Sequence, residues 1–359
     1  SFSRGTNWVK FHMNNLPTVA VHDILLHPRD KDLILGTHGR GIWIFDDASF
    51  IREIYKELLE KEGHLFRIQT AIRYAEKATR YGIGDREYTG ENPPYGALIT
   101  YYLKDRIEDS KDLRIDVYDK DKNLIRRITD LPSEKGINRA VWDLRGTAPR
   151  QRKEREIEEN FFFRGPRGPQ ALPGTYTIRL VLGEQAYKEE LIVEKDPTVD
   201  VSYDDLELQH RYASDLCSMQ SFVNDGLRAF DTLLEQLKAR KNTILKQTNQ
   251  FSEEVMDAID SHMQEITQIQ EVLTKPEGAP FWSEGPRLIG RLSALCQSID
   301  SVNKAPTRAQ MSYFSELKQE FEAAMSQINE YLGERAKLIN RIFSENNVPT
   351  LLIPSPIEY

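Results

Sequence analysis

Hydrophobic positions in this chain follow two different periods, and the change comes at Asp196-Pro197. Before it, short apolar runs alternate with polar residues and end in turn formers, the pattern of strands. The first three runs are VAVHDILLHP, LILGTHG and IWIFDD, separated by a polar turn at residues 29–32 and by Gly39-Arg40-Gly41. They predict three antiparallel strands between residue 19 and about residue 50. Residues 51–63, IREIYKELLEKEG, read as a helix closed by Gly63. Strands return from about residue 65 to residue 194 in ALITYYLK, LRIDVYDKDKNLIRRI, INRAVWDLR, TYTIRLVLG and AYKEELIVEK, with hairpin turns at residues 119–123 and at Gly183-Glu184. Regular short strands with polar turns predict a small β-sandwich. Residues 145–173 interrupt it with proline, glycine, mixed charge and the run Phe161, Phe162, Phe163.

After residue 197 apolar residues recur every three or four positions, which places them on one face of a helix. The first stripe is Leu216, Met219, Val223, Leu227, Phe230, Leu234 and Leu237, and the second Val255, Ile259, Met263, Ile266, Ile269 and Leu273. Leu288, Leu292, Leu295, Ile299 and Val302 form a third, and Leu317, Phe321, Met325, Ile328, Leu332, Leu338 and Ile342 a fourth. With breaks at residues 247–252, 276–286 and 304–307, these predict an antiparallel four-helix bundle over residues 197–359, ending in an extended tail.

Composition narrows the chemistry. A length of 359 residues suits two or three domains. Forty-eight Lys and Arg against 56 Asp and Glu give a net charge of −8 with no basic stripe, which disfavours nucleic acid as the partner. Apolar runs such as residues 42–45 are far too short to span a bilayer, so no membrane span is expected. Cys217 and Cys296 are too few for a zinc site or a disulfide framework; they are either buried thiols or one bridge between helices. The acidic turn at residues 119–123 lacks the glycine and distal glutamate of a calcium loop and reads as a hairpin. No phosphate loop occurs, so neither a metal nor a cofactor is expected. The arginines within residues 150–155 are offset by Glu154, Glu156, Glu158 and Glu159, as in a solvated or partner-facing loop.

Residues 1–8, SFSRGTNW, match the Ser-x-Asp-x-Gly-x-Thr-Trp pattern of the Asp-box, with Ser3 in the Asp place and Asn7 in the Thr place. Such a hairpin needs side-chain oxygens from Ser1 and Ser3 on turn amides, Gly5 at positive φ and Trp8 beneath the turn. The following LPTVAVHDILLHPRDKDLILGTHGRGIWIFDD resembles the final propeller segment of bacterial proteins with sortilin-like BNR repeats, often labelled glycosyl-hydrolase-like. ENPPYGALITYYL, GINRAVWDLR and PGTYTIRL resemble the Ig-like domain of that family, and KDPTVDVSYDDLELQ leads similarly into its helices. Asp300, Ala305-Pro306-Thr307 and Gln310 look like its loop before the last helix.

The resemblance implies a last β-propeller blade at residues 1–50, a linker helix at 51–64, an Ig-like β-sandwich at 65–196 and a helical bundle at 197–359. It implies an extracytoplasmic bacterial protein, periplasmic, outer-membrane-associated or secreted, whose remaining blades lie on an upstream fragment or a separate chain. The absence of an initial Met or targeting pattern fits that expectation. Binding of a peptide, a glycan or another envelope protein is the expected role. The alternative is a sialidase-like glycoside hydrolase with its catalytic residues mainly on other blades.

In a blade, the first strand starts at the rim where the second ends. His22 and Asp23 therefore share a rim with His38 and Arg40. This cluster could bind an anionic or polar ligand, supply an acid and a base, or serve the blade's own backbone. Asp46 and Asp47 fall at the opposite rim; as strand neighbours they point to opposite faces, so they are expected to cap a turn rather than to form a glycosidase pair. Sialidase chemistry needs several arginines, an assisted tyrosine and an acid, a set these residues do not supply, so the catalytic residues are unknown. Phe161, Phe162 and Phe163 cannot all be buried in one alternating strand; they either dock on a neighbouring domain or subunit or cover the sandwich edge.

Overall fold

The computed structural model describes residues 5–6, 16–75, 90, 92–153, 165–246, 253–275 and 287–359. It is a β-plus-α chain of two compact units, one formed by residues 1–147 and 171–200, the other by residues 148–170 and 201–359.

The first unit opens with β1 (Val21–Leu26), β2 (Leu33–Thr37) and β3 (Ile42–Phe45), an antiparallel meander in that order. Gly39 and Gly41 have φ of +71° and +75°, which lets the chain reverse around Arg40. Eight further strands follow: β4 (Gly63–Leu65), β5 (Ala71–Arg73), β6 (Ala97–Leu103), β7 (Leu113–Tyr118), β8 (Leu124–Ile128), β9 (Gly136–Trp142), β10 (Gly174–Leu182) and β11 (Gln185–Lys195). They make a three-stranded sheet ordered β4-β6-β9 and a five-stranded sheet ordered β5-β11-β10-β7-β8. All described pairings are antiparallel except that of β5 with β11.

One core joins these two sheets, with Ile99, Tyr101 and Trp142 from the smaller and Ile115, Val117, Ile178 and Leu180 from the larger. Alternation explains it: the residues between these positions carry the polar and charged side chains. Trp142 packs edge-on against Tyr176, and its carbonyl lies so close to Gly96 that a Cβ there would sit 2.1 Å from the oxygen. Asp119 accepts hydrogen bonds from the backbone of Asp121 and Asn123 and from the Asn123 side chain, so the acidic turn is the expected hairpin.

Residues 51–63 do not form the expected helix. A short 3-10 turn, Ser49–Glu53, is followed by single i to i+3 turns closed by the amides of Leu58, Leu59 and Lys61. The apolar spacing that suggested a helix instead feeds a small cluster of Phe50, Leu58, Phe66 and Tyr102. Gly63 begins β4, where a Cβ would lie 3.1 Å from Leu182 and 3.2 Å from Tyr187.

The second unit contains α1 (Tyr203–Lys246), α2 (Glu253–Leu273), α3 (Leu288–Asp300), α4 (Arg308–Glu330), a π turn at Tyr331–Arg335 and α5 (Ala336–Glu345). Their stripes close one core in which Leu216, Phe230, Ile259, Ile266, Leu292, Leu317 and Met325 are buried. Two expected core positions fail. Val302 lies past the end of α3 and is exposed. The π turn inserts a residue into the helical repeat, so the buried set after it is Ala336, Ile339 and Phe343, while Leu338 is 45% exposed.

Thr307 and Gln310 form a reciprocal capping box that starts α4. Asp300 is buried and accepts from the backbone amide of Gln170, whose side chain donates to the Asp300 carbonyl at 2.8 Å. Arg150 and Arg152 each pair with an aspartate of α1, Asp225 and Asp231 respectively, while the Arg150 side chain stays 53% exposed; residues 154–159 of the expected solvated or partner-facing loop lie outside the described residues. The tail after α5 forms no helix or strand; Asn340, Gln236 and Asn329 act on it as three carboxamide clamps, each accepting from the amide and donating to the carbonyl of one residue, Leu351, Leu352 and Ile357 respectively. Cys217 and Cys296 are buried and unbridged, with their sulfurs 3.7 Å apart.

Candidate functional site

Residue pairing assembles the rim of the three-stranded sheet. A register shift between Val21 and Asp23 leaves His22 as the extra residue of a bulge at the start of β1. The His38 amide donates to the Ala20 carbonyl at 2.9 Å, which brings the end of β2 beside that bulge. The two imidazoles stack with centroids 5.0 Å apart and planes at 17°. Both rings are exposed. The expected convergence is therefore found for His22 and His38.

Asp23 and Arg40 lie at the same end of the sheet but do other things. The Asp23 carboxylate accepts from the Ile24 amide, and its Cβ faces Gly36, where an added Cβ would lie in ordinary contact at 3.5 Å. Arg40 sits in the glycine turn and offers its carbonyl to the indole of Trp43 at 3.0 Å. Its guanidinium is exposed and has no hydrogen-bonding partner among the described residues. Gly5 has φ of +89°, as the Asp-box turn requires, while Ser1, Ser3 and Trp8 lie outside the described residues, as do Phe161, Phe162 and Phe163.

The opposite end of the sheet holds the better-built constellation. Arg139 on β9 donates to the carbonyls of Asp46 and Asp47 at 2.7 and 2.6 Å, and its guanidinium lies over the rings of Phe45 and Phe50 at 4.4 and 5.2 Å. Asp47 is held at φ +42° by its amide on the Asp32 carboxylate and caps the next turn by accepting from the Ser49 amide. Asp47 thus takes the turn-capping role expected of the pair, while Asp46 contributes its carbonyl to Arg139. Burial, with Asp32 nearby, raises the Asp46 carboxyl above its usual value, and burial lowers the Arg139 guanidinium from its own. The arrangement clamps β3 onto β9 and leaves no acid and base facing each other.

Arg139 and Asp32 were not foreseen as site residues. The signal was there in part: Ile137, Arg139 and Val141 share the β9 face that turns away from the Ala140 and Trp142 core. An arginine on such a face has to be read as either solvated or clamped, and sequence alone does not choose.

Between its two ends the meander exposes apolar side chains on both faces. By register, Leu25, Ile34, Ile42 and Ile44 share one face and Ile24, Leu33, Leu35 and Phe45 the other. Ile42 is 74% exposed, Ile24 64% and Ile44 56%, although Leu35 is buried. Among the described residues no group of three or more His, Cys, Asp or Glu could hold a metal ion, and no helix is long and apolar enough to cross a membrane.

No family model matches the chain, and neither a curated protein nor a solved structure is similar to it.

Proposed function

We propose that this chain is a binding portion of an extracytoplasmic bacterial protein of the sortilin-like BNR kind, in which the β1-β2-β3 meander is a propeller blade flanked by further blades. Residues 65–196 then serve as its Ig-like domain and the helices as an accessory bundle. One observation carries the reading: a three-stranded sheet with large aliphatic side chains, Ile42 and Ile44 on one face and Ile24 on the other, exposed, and with both edges unpaired among the described residues. Such a sheet gains by burial between two like sheets, and isolated chains seldom present one. The occupants are β-sheets, because flat apolar faces of this size match a face of equal spacing. The stacked His22 and His38 with the unpartnered Arg40 would then lie on the rim where a polar or anionic ligand, such as a peptide carboxylate or a glycan acid, reaches the array.

The test uses accessibility. Ile44→Cys is labelled by a maleimide in this chain alone and in the longer gene product that includes whatever precedes it, with the unsubstituted chain as the background for Cys217 and Cys296. Strong protection in the longer product is expected. Equal labelling rates would sink the blade assignment, since the face would then be bare in the native protein.

A further inference from the structure

The outer face of the five-stranded sheet carries more positive charge than its own carboxylates engage. Ile115 and Val117 of β7 and Ile178 and Leu180 of β10 point into the two-sheet core, so Asp116 and Arg179, which lie between them, face outward. Register sets four side chains in one row across four strands. Arg127 of β8 stands opposite Asp116, Asp116 opposite Arg179, and Arg179 opposite Lys188 of β11. Arg114, two residues before Asp116, and Glu190, two after Lys188, share the face.

One end of this row is complete in itself. Asp116 is 1% exposed and accepts from Arg127 Nε at 2.7 Å and from Arg114 Nε at 3.3 Å. Burial raises its carboxyl, but the hydrogen bonds from Arg127 and Arg114 outweigh that and hold it below the usual carboxylate range. Both carboxylate oxygens are engaged by those two arginines.

The other end is not complete. Arg179 makes no hydrogen bond or ion pair with Asp116 or with any other described residue, and its Nε is buried without an acceptor. Lys188 is exposed and likewise has no partner among the described residues. Like charges directly opposite on neighbouring strands, with Cβ atoms about 4.5–5.5 Å apart, repel each other. A buried donor with no acceptor is a second cost at the same point. Neither Arg179 nor Lys188 contributes to the Arg114–Asp116–Arg127 group, so both costs stand without a structural return, as at sites kept for a ligand. An anion seated between the two cations offsets both.

We propose that this face holds a binding site for the phosphate of a soluble phosphate monoester, with Arg179 and Lys188 as its two contacts. Such a group carries a charge of about −1.5 to −2 at neutral pH, which matches two unpartnered cations. Its three oxygens accept a planar guanidinium fork and an ammonium together. The same match argues against a lipid surface. Recognition of membranes by charge takes about 4–8 clustered cations. Here Arg114 and Arg127 are engaged by Asp116, Glu190 follows Lys188 on the same face, and the whole chain has a net charge of −8.

The experiment titrates the full chain with inorganic phosphate at low ionic strength, read by calorimetry. Saturable binding at a single site is expected, and glucose 6-phosphate is expected to compete for it. Arg179→Gln and Lys188→Gln should each weaken it at least roughly tenfold, the loss of one charge-assisted contact. Lys56→Gln, which removes an exposed cation elsewhere in the same unit, should leave it unchanged. Thermal unfolding separates a site from a structural role. Without phosphate, Arg179→Gln loses a repulsion and no partner, so it should unfold at no lower temperature than the unsubstituted chain, and phosphate should raise the melting temperature of the latter alone. Absence of saturable binding, or equal binding by the Arg179→Gln/Lys188→Gln variant, would overturn the proposal. So would an Arg179→Gln chain that melts earlier and gains as much from phosphate as the unsubstituted chain. Phosphatidylcholine vesicles containing phosphatidic acid, which displays the same monoester, are expected not to retain the chain; retention that the double variant loses would place the phosphate on a lipid and overturn the assignment to a soluble ligand.

Discussion

Replacing Arg139 by Met should release the β1-β2-β3 meander while leaving the two-sheet core intact. Arg139 makes two charge-assisted hydrogen bonds to the carbonyls of Asp46 and Asp47, and such bonds contribute about 1.5–3 kcal/mol each. Its position over Phe45 and Phe50 adds about 0.5–1 kcal/mol. Methionine keeps some apolar contact with those rings but leaves two carbonyls to find water, so a net loss of about 3 kcal/mol in the docking of the sheet is expected. That corresponds to a roughly hundredfold larger opening constant. Three short strands released from the contacts of Phe45 and Leu35 cannot hold themselves together, so undocking should melt them. Hydrogen exchange measures this: amides paired within β2 and β3 should lose about two decades of protection, while those of Ile115 and Leu180 in the core keep theirs. Arg139→Lys should fall between, since an ammonium cannot reach both carbonyls and lie flat over the rings at once. Unchanged protection of β2 in the methionine variant would refute the reasoning, and the apolar cluster around Phe50 would then have to be the whole anchor.

Other perturbations reach different parts of the chain. His262 hydrogen-bonds Tyr331 at 2.8 Å, and burial, aided by Arg335 and opposed by Glu265, lowers its pKa from the usual value. The unfolded chain therefore takes up the proton first, at about pH 6.5, and the helical unit should lose stability as pH falls through that value toward the lower folded pKa. Urea titrations across that range should show the loss, and His262→Gln should flatten it; an unchanged slope would remove His262 as its source. Gly96→Ala places a Cβ against the Trp142 carbonyl at a backbone φ of +128°, so a destabilisation of roughly 3 kcal/mol or more and a clear drop in melting temperature are expected. With sulfurs 3.7 Å apart, Cys217 and Cys296 should oxidise to a bridge when a small-molecule disulfide is added, the oxidant leaving as two thiols. Thiol titration after denaturation should then find neither group, and recovery of both would show that the helices hold them apart.

Apart from the three-residue β4 and β5, which carry no apolar run of their own, the strands were legible because most of them bury by the simplest rule, inward and outward in alternation. TYTIRLVLG turns Tyr176, Ile178 and Leu180 toward one core, ALITYYLK does the same with Ala97, Ile99, Tyr101 and Leu103 while its other face also buries Thr100 and Tyr102, and the tight turns between strands announce themselves through Asp119 and Gly183. The helices were legible to the same degree until the π turn, where one inserted residue moved Ile339 and Phe343 inward and Leu338 outward; periodicity carries no mark for such a slip. Residues 51–63 have helical spacing, but Phe50 and Leu58 are drawn into a tertiary cluster with Phe66 and Tyr102, and that attraction outweighs local preference. At the rim, strand direction alone was enough to bring His22 to His38. Arg139, Gln236, Asn329 and Asn340 stayed invisible because a lone polar residue on an outer face looks the same whether water or a carbonyl awaits it.

The three carboxamide clamps constrain drift in an unusual way. Since they engage peptide groups and ignore most side chains, substitutions at Leu352, Ser355 or Glu358, all exposed, should be nearly silent. Inserting or deleting even one residue between Leu352 and Ile357 would throw the downstream clamp out of phase. In this stretch, then, selection would act on length before it acted on letters.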